Sequence, residues 1–396
     1  MLVRFFGVRG SIATADLRTW QHGGNTPCLD VETPAGHHII LDAGTGLRPM
    51  SRRQAWSGGA APIHAHWLLS HYHWDHIQGL PFFPPLYDPR NRFEFFGLEP
   101  DGGLDMRMAL EGQMLKPYFP VDIKLLVAAQ AFTTVASGVR WPLHDVTVEA
   151  IRLNHPQGCL GFRIESERGT MVYATDNEPG DREGDAAVRH LARDADVLIY
   201  DAQYSPALLE KRRGWGHSSW QEGVAVARDA GARGLFLFHH DPDSDDATVR
   251  RYVRLAREQK PETWAAAENL QVICQSPKIE VQSLRARVGP RVAVRLPVRL
   301  RGVRHDGSQL ELEGVLANMT LKGTYIVAPE APELSSEVEI CLGNEGQLGA
   351  TMTGEVVRVD MDRKTGQPGV GVVFGADEGD GFPRIAAKAK KPRAKR

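Results

Sequence analysis

Cysteine is scarce in this chain: Cys28, Cys159, Cys274 and Cys341 are the four present, and none lies close enough to another to form a CxxC pair. That spacing excludes a disulfide framework and a thiolate zinc knuckle, so buried free thiols are expected. No apolar run approaches the length of a bilayer span, and the opening Met1-Leu2-Val3-Arg4-Phe5-Phe6-Gly7 lacks the longer apolar stretch of a signal peptide. The expectation is a cytoplasmic protein without a membrane partner. An excess of one charge is missing too. A formal net charge of −2 gives no global pull toward nucleic acid or lipid. The departures are local: seven arginines fall between Arg285 and Arg304, and the last nine residues are mostly Lys and Arg.

At 396 residues the chain is too long for one ordinary core. From residue 1 to about 275, apolar β-like runs alternate with helical stretches such as Gly184 to Asp194 and Ser219 to Ala230, an α/β pattern. Residues 276–284 carry Ser, Pro and Lys and read as a linker. Between 285 and 376, short strand candidates separated by Gly, Pro, Asn and Asp predict a small β-barrel. Residues 377–396 read as a basic, disordered tail.

Four apolar runs end in residues suited to holding a metal. Ile39-Ile40-Leu41 reaches Asp42, His66-Trp67-Leu68-Leu69-Ser70 reaches His71-Tyr72-His73-Trp74-Asp75-His76, Met171-Val172-Tyr173 reaches Asp176, and Leu235-Phe236-Leu237-Phe238 reaches His239 and His240. Polar clusters at strand exits mark the ligand-binding edge of open α/β sheets. So many ionisable groups in the HxHxDH run are costly to bury unless a cation compensates. With three His and one Asp locally, two ions need distant ligands, for which His155, Asp176 and His239 have the right chemistry. The adjacent His240 is left open as an alternative to His239.

These motifs, with Leu41-Asp42-Ala43-Gly44-Thr45-Gly46 and Asn154-His155-Pro156, resemble the metallo-β-lactamase superfamily over roughly residues 1–275. The resemblance implies a four-layer αββα sandwich in which His71, His73 and His155 hold one metal, Asp75, His76 and His239 the other, and Asp176 bridges them. Two divalent ions are implied, zinc being expected and manganese the alternative. Asp201, at the end of Val197-Leu198-Ile199-Tyr200, and His217, in Gly214-Trp215-Gly216-His217-Ser218-Ser219, resemble the phosphodiesterase branch that includes ribonuclease Z and the class II cyclic-nucleotide phosphodiesterases. There the histidine faces the scissile phosphate and an acidic residue orients it; Asp stands here for the Glu usual in ribonuclease Z. His217, Asp201 and the ligand Asp75 are thus the candidate catalytic residues. The alternative is that His217, with Ser218 and Ser219, only caps the helix that follows. The segment Leu80 to Tyr87 is read as core, with an apolar wall for a ring as the other use.

Residues 285–376 resemble a PilZ domain, whose cyclic di-guanylate signature is RxxxR followed by [DN]xSxxG. Arg291-Val292-Ala293-Val294-Arg295 supplies the first half and Asn318-Met319-Thr320-Leu321-Lys322-Gly323 the second, with Thr320 in place of Ser. Arg287 could pair with the first half as well. Guanidinium forks bind phosphates and stack on guanine, so Arg287, Arg291, Arg295, Asn318, Thr320 and Gly323 are the candidate nucleotide-binding residues. The expected activity is metal-dependent hydrolysis of a phosphodiester, in a small molecule or a nucleic acid, with cyclic di-GMP as regulatory ligand; a homodimer is among the expected assemblies. Thioester hydrolysis, and a cyclic di-GMP receptor whose sandwich serves as a scaffold, are the alternatives.

Overall fold

The computed structural model describes residues 1–53, 55–56, 61–283, 292–304, 307–320, 323–332, 336–342, 350–362 and 365–374. They fall into two compact units, Met1–Val281 and Gln282–Arg396.

The first unit holds two sheets. One contains β1 (Leu2–Gly7), β2 (Cys28–Glu32), β3 (His38–Leu41), β4 (His64–Leu69), β5 (Arg92–Gly97) and β6 (Ala129–Thr134). The other is built from β7 (Val139–Leu143), β8 (Val146–Leu153), β9 (Cys159–Ser166), β10 (Gly169–Ala174), β11 (Val197–Asp201), β12 (Gly234–Phe238) and β13 (Thr263–Ala265). The chain then returns to the free edge of β1 through β14 (Leu270–Gln275) and β15 (Lys278–Ser283). Within each sheet a parallel run, β3 to β6 and β10 to β13, aligns the carboxyl ends of its strands.

Alternation along these strands makes the layers. Ile39, Leu41 and Leu68 share one core with Met171, Tyr173, Ile199, Phe236 and Phe238 of the other sheet. Their neighbours Ile40, Trp67 and Leu69 point outward onto Leu47, Trp56 and Phe83. Val172, Leu198, Tyr200, Leu235 and Leu237 point to the opposite outer layer, where Val188, Leu191, Val224, Ala227 and Val253 project from helices Arg182–Leu191, Trp220–Asp229 and Asp246–Arg257. A strand covered on both faces reads as a continuous apolar run, which is why these strands were legible. Each of the three helices starts on a side-chain cap: Asp181 accepts from Gly184 N, Ser219 from Glu222 N and Asp245 from Thr248 N. The arrangement is the expected four-layer αββα sandwich.

The stretch read as a connector is mostly strand. In β15 the exposed Lys278, Glu280 and Gln282 alternate with half-buried Ile279, Val281 and Ser283, so two apolar residues on one face decided the structure against the polar composition. Leu80, Pro81, Phe83, Pro85 and Leu86 are buried core, as expected, while Phe82 is exposed. Cys28, Cys159 and Cys274 are buried free thiols, while Cys341 is half-buried.

The second unit is a closed antiparallel barrel of β16 (Val292–Val303), β17 (Gln309–Thr320), β18 (Gly323–Val327), β21 (Pro368–Phe374), β20 (Ala350–Met361) and β19 (Glu337–Leu342), in that order around the ring. Val298, Leu300, Leu316, Ile326, Ile340, Val356 and Val370 fill it. Closure removes free edges, which lets so small a sheet bury a core.

Candidate metal centre

The carboxyl ends of the parallel strands converge. Asp42 follows β3, Ser70 and His71 follow β4, Asp176 follows β10, Asp201 ends β11 and His239 follows β12. Asp42, Asp176 and His239 have φ of 57°, 52° and 57°. This left-handed conformation is unfavourable for residues with a Cβ and is characteristic of functional sites. Here it turns each side chain sharply off its strand.

Five histidines meet two carboxylates. His76 Nε2 lies 3.2 Å from His239 Nε2, and each approaches both Asp75 Oδ2 (3.4 and 3.2 Å) and Asp176 Oδ2 (3.3 and 3.4 Å). On the other side of Asp176, His155 Nε2 is 3.1 Å from His73 Nδ1 and 3.8 Å from Asp176 Oδ1, and His71 Nε2 is 3.9 Å from that same oxygen. His71 with His73 and His155, and Asp75 with His76 and His239, each group ligand atoms closely enough to share one cation. Asp176 faces both groups.

The second nitrogen of every ring is occupied. His71 Nδ1 meets Ser70 Oγ at 3.0 Å, His73 Nε2 meets Gln157 Oε1 at 2.9 Å, and His76 Nδ1 meets Asp42 Oδ2 at 2.8 Å. His155 Nδ1 donates to Gly216 O at 2.7 Å, and His239 Nδ1 meets Gln203 Oε1 at 2.8 Å. Such outer partners fix which nitrogen is bare and where it points. His71 Nε2 is buried without any hydrogen-bond partner, a costly state that a cation would relieve. The donor set therefore fits divalent metal ions.

Electrostatics agree. Burial holds His71 well below its ordinary pKa and pushes His155 down to about 4, which keeps both rings neutral. Burial alone would raise the Asp75 carboxyl, but His76 and His239 hold it well below the usual range. Burial likewise opposes charge on His76, yet Asp75, Asp176 and Asp42 outweigh it and raise its pKa. A cation would displace that proton.

His239, not its neighbour, faces the cluster. His240 Nε2 turns away to Ala266 O at 2.8 Å. Asp42 orients rather than joins: its carboxylate accepts from Ser70 N, Ser70 Oγ and Tyr173 OH as well as meeting His76. Asp201 reaches His217 despite its short side chain, with Oδ2 2.9 Å from Nδ1. Burial disfavours the charged ring, but Asp201 outweighs this and lifts the His217 pKa to about 9. Ser219 caps the next helix, so the capping and site roles in this segment fall to different residues. A cleft of about 430 Å³ opens over the cluster, lined by Ser11, Tyr72, His73, Trp74, Asp75, Asp176 and His217. The segment Leu80 to Tyr87 is not among its lining residues.

The orienting residues Ser70, Gln157 and Gln203 escaped the sequence reading. Ser70 directly precedes the motif, and Gln203 lies two residues beyond Asp201; these were the available signals. Ser11 was also missed: its N–H donates to Asp75 Oδ2 at 2.8 Å.

In the barrel, Arg287 and Arg291 lie outside the described residues. Arg295 lies in β16, and Asn318 and Thr320 lie in β17, where Thr320 pairs in register with Gly323 of β18. Arg295 and Asn318 thus sit on neighbouring strands.

Comparison with known proteins follows the same division. A family model described as a β-lactamase superfamily domain matches residues 37–240, and a PilZ domain model matches residues 286–381. Ribonuclease BN of Cronobacter sakazakii is 26% identical over 258 residues, covering 50% of this chain and 77% of that protein. Ribonuclease Z of Streptococcus equi subsp. equi is 26% identical over 257 residues, covering 52% and 78%. The metallo-β-lactamase fold protein YhfI of Bacillus subtilis superposes with a TM-score of 0.51 at 18% identity, over 68% of this chain and 97% of that one.

Proposed function

We propose that this chain, which belongs to the β-lactamase superfamily and carries a C-terminal PilZ domain, is a metal-dependent phosphodiesterase regulated by cyclic di-GMP. One observation carries the hydrolase reading: five imidazoles, each tied on one nitrogen, turn the other into one cluster with the carboxylates of Asp75 and Asp176. His71, His73 and His155 would hold one divalent ion, Asp75, His76 and His239 a second, and Asp176 would serve both. Zinc suits this set, with manganese as the alternative. Bound ions of this kind make water nucleophilic near neutral pH and stabilise charge on phosphoryl oxygens.

The chain's own groups supply the rest. Asp201 fixes His217 through Nδ1, leaving Nε2 available to the cleft. A protonated His217 neutralises a phosphoryl oxygen and gives its proton to the leaving oxygen. Asp75, held by Ser11 N–H, keeps an orientation from which it can order the attacking water. The likeness to ribonucleases BN and Z supports a phosphodiester bond as the target. The cleft of about 430 Å³ suits a small diester or a nucleic-acid end.

Metal-loaded protein is expected to hydrolyse bis(p-nitrophenyl) phosphate, and His73→Ala to abolish it; unchanged turnover in that variant removes the proposal. For the barrel, Arg287, Arg291, Arg295, Asn318, Thr320 and Gly323 are proposed to bind cyclic di-GMP. Calorimetry is expected to show binding that Arg291→Ala and Arg295→Ala abolish, and a silent wild type removes the regulatory part alone.

A further inference from the structure

We infer that Glu178 is a positioning residue that locks the loop carrying His217 and, through Gly216, sets the ring of His155; the inference rests on the functional reading above. Glu178 lies two residues beyond Asp176. Its N–H donates to Asn154 O at 2.8 Å, and its own carbonyl accepts from Asn154 Nδ2 at 2.7 Å. The segment leaving β10 is thereby joined to the one that presents His155. The carboxylate reaches a third segment, accepting from Gly214 N at 2.9 Å with each oxygen and from Gly216 N at 2.8 Å with Oε2.

The loop is shaped for this contact. Gly214 and Gly216 have φ of 87° and 83°, a conformation open to glycine, and it turns both N–H groups onto one acceptor. The carbonyl of Gly216 faces the other way and accepts from His155 Nδ1. One residue thus donates to Glu178 and orients an imidazole, and the next residue is His217. A Cβ on Gly216 would stand 2.2 Å from His155 Nδ1, so only glycine lets the loop approach that ring so closely. If Glu178 released it, the His155 tautomer and the direction of His217 would both lose their support.

The side-chain chemistry is specific. A carboxylate offers acceptors in both oxygens and charge-assisted bonds to two N–H groups. Glutamine offers one oxygen and sets an NH₂ against the glycine donors, while aspartate keeps both acceptor oxygens and the charge at a shorter reach.

The test uses the full chain, stripped of metal, as wild type, Glu178→Gln and Glu178→Asp. Calorimetric titration with Zn²⁺ alone is expected to show Glu178→Gln weakened about 10–100-fold at one of two sites, the range usual for outer-partner changes. Turnover of an alkyl phosphodiester by the zinc-saturated variant is expected to drop about 10–100-fold in kcat, with KM within about twofold. Glu178→Asp is expected to recover part of both, which a loss of folding would not produce. Wild-type zinc affinity and kcat in folded Glu178→Gln overturn the inference and leave the phosphodiesterase reading intact. A wild type that neither binds zinc nor turns over the diester overturns that reading, and this one with it.

Discussion

His217 Nδ1 lies 2.9 Å from Asp201 Oδ2, and the same oxygen accepts the backbone N–H of Asp176 at 3.1 Å. Asp201 Oδ1 accepts from Gln203 N at 3.0 Å and Ser218 N at 3.1 Å. One buried carboxylate therefore ties the candidate proton donor to the residue facing both halves of the metal cluster. His217 cannot rotate about this anchor without breaking its hydrogen bond to a buried carboxylate.

If His217 donates the proton to the leaving oxygen, its removal matters most where that oxygen leaves reluctantly. His217→Ala is expected to lower kcat about 10²–10⁴-fold on an alkyl phosphodiester and much less on bis(p-nitrophenyl) phosphate, whose leaving group needs little help. Equal losses on the two substrates would assign His217 to phosphate binding instead. The comparison is read from initial rates at saturating metal.

Asp42 fixes His76 from outside the groups of candidate ligand atoms. Its Oδ2 is shared among Ser70 Oγ at 2.8 Å, Tyr173 OH at 2.7 Å and His76 Nδ1 at 2.8 Å. Asp42→Asn sets an amide among these groups, and metal affinity is expected to fall about 10–100-fold at the site containing His76. Equilibrium dialysis against zinc checks this; an unchanged second binding step would count against the orienting role.

Trp67 is fully buried on the outer face of β4, stacked on Phe95 with ring centroids 5.0 Å apart, and its Nε1 donates to Asp42 O at 3.1 Å. Trp67→Ala opens a cavity directly beneath the strand that leads into the HxHxDH run. The cost is about 3–5 kcal/mol, read from the urea transition of the first unit. A loss below about 1 kcal/mol would mean that the layer repacks.

His66 predicts a pH dependence of stability away from the metal cluster. Its Nε2 is 2.7 Å from His144 Nε2, its Nδ1 is 3.6 Å from Glu94 Oε2, His37 stacks on His144, and Arg92 pairs with Glu94. Burial, aided by His144, lowers its pKa to about 4. The folded value lies below the ~6.5 of an unfolded chain, so the unfolded state takes up the proton first. The contribution is complete above about pH 6.5 and is lost as pH falls toward about 4. Denaturation midpoints measured at about pH 7 and about pH 4.5 are expected to differ less in His66→Gln than in wild type.

Much of the fold was legible because its strands are covered on both faces. Leu235 to Phe238 shows an unbroken apolar run whichever layer each side chain enters, and Ser219 announces the helix it caps. β15 was not legible, because two apolar residues among polar ones carry little weight against Ser276 and Pro277. In the candidate site, the types and spacing of the motif residues pointed to metal chemistry. The choice between His239 and His240 needed the turn at φ 57°, which sends one ring inward and leaves the other on Ala266 O.

The order of residues alone determined the apolar alternation, the caps and the chemistry of the HxHxDH run, since these depend on neighbours a few positions apart. Only the tertiary structure decided which distant atoms serve them. Gln203, Gln157 and Gly216 O become partners of His239, His73 and His155 because the ends of separate strands meet at one edge. Their roles come from that meeting, and a hydrogen bond has no signature in the sequence when its partners are joined only by the fold.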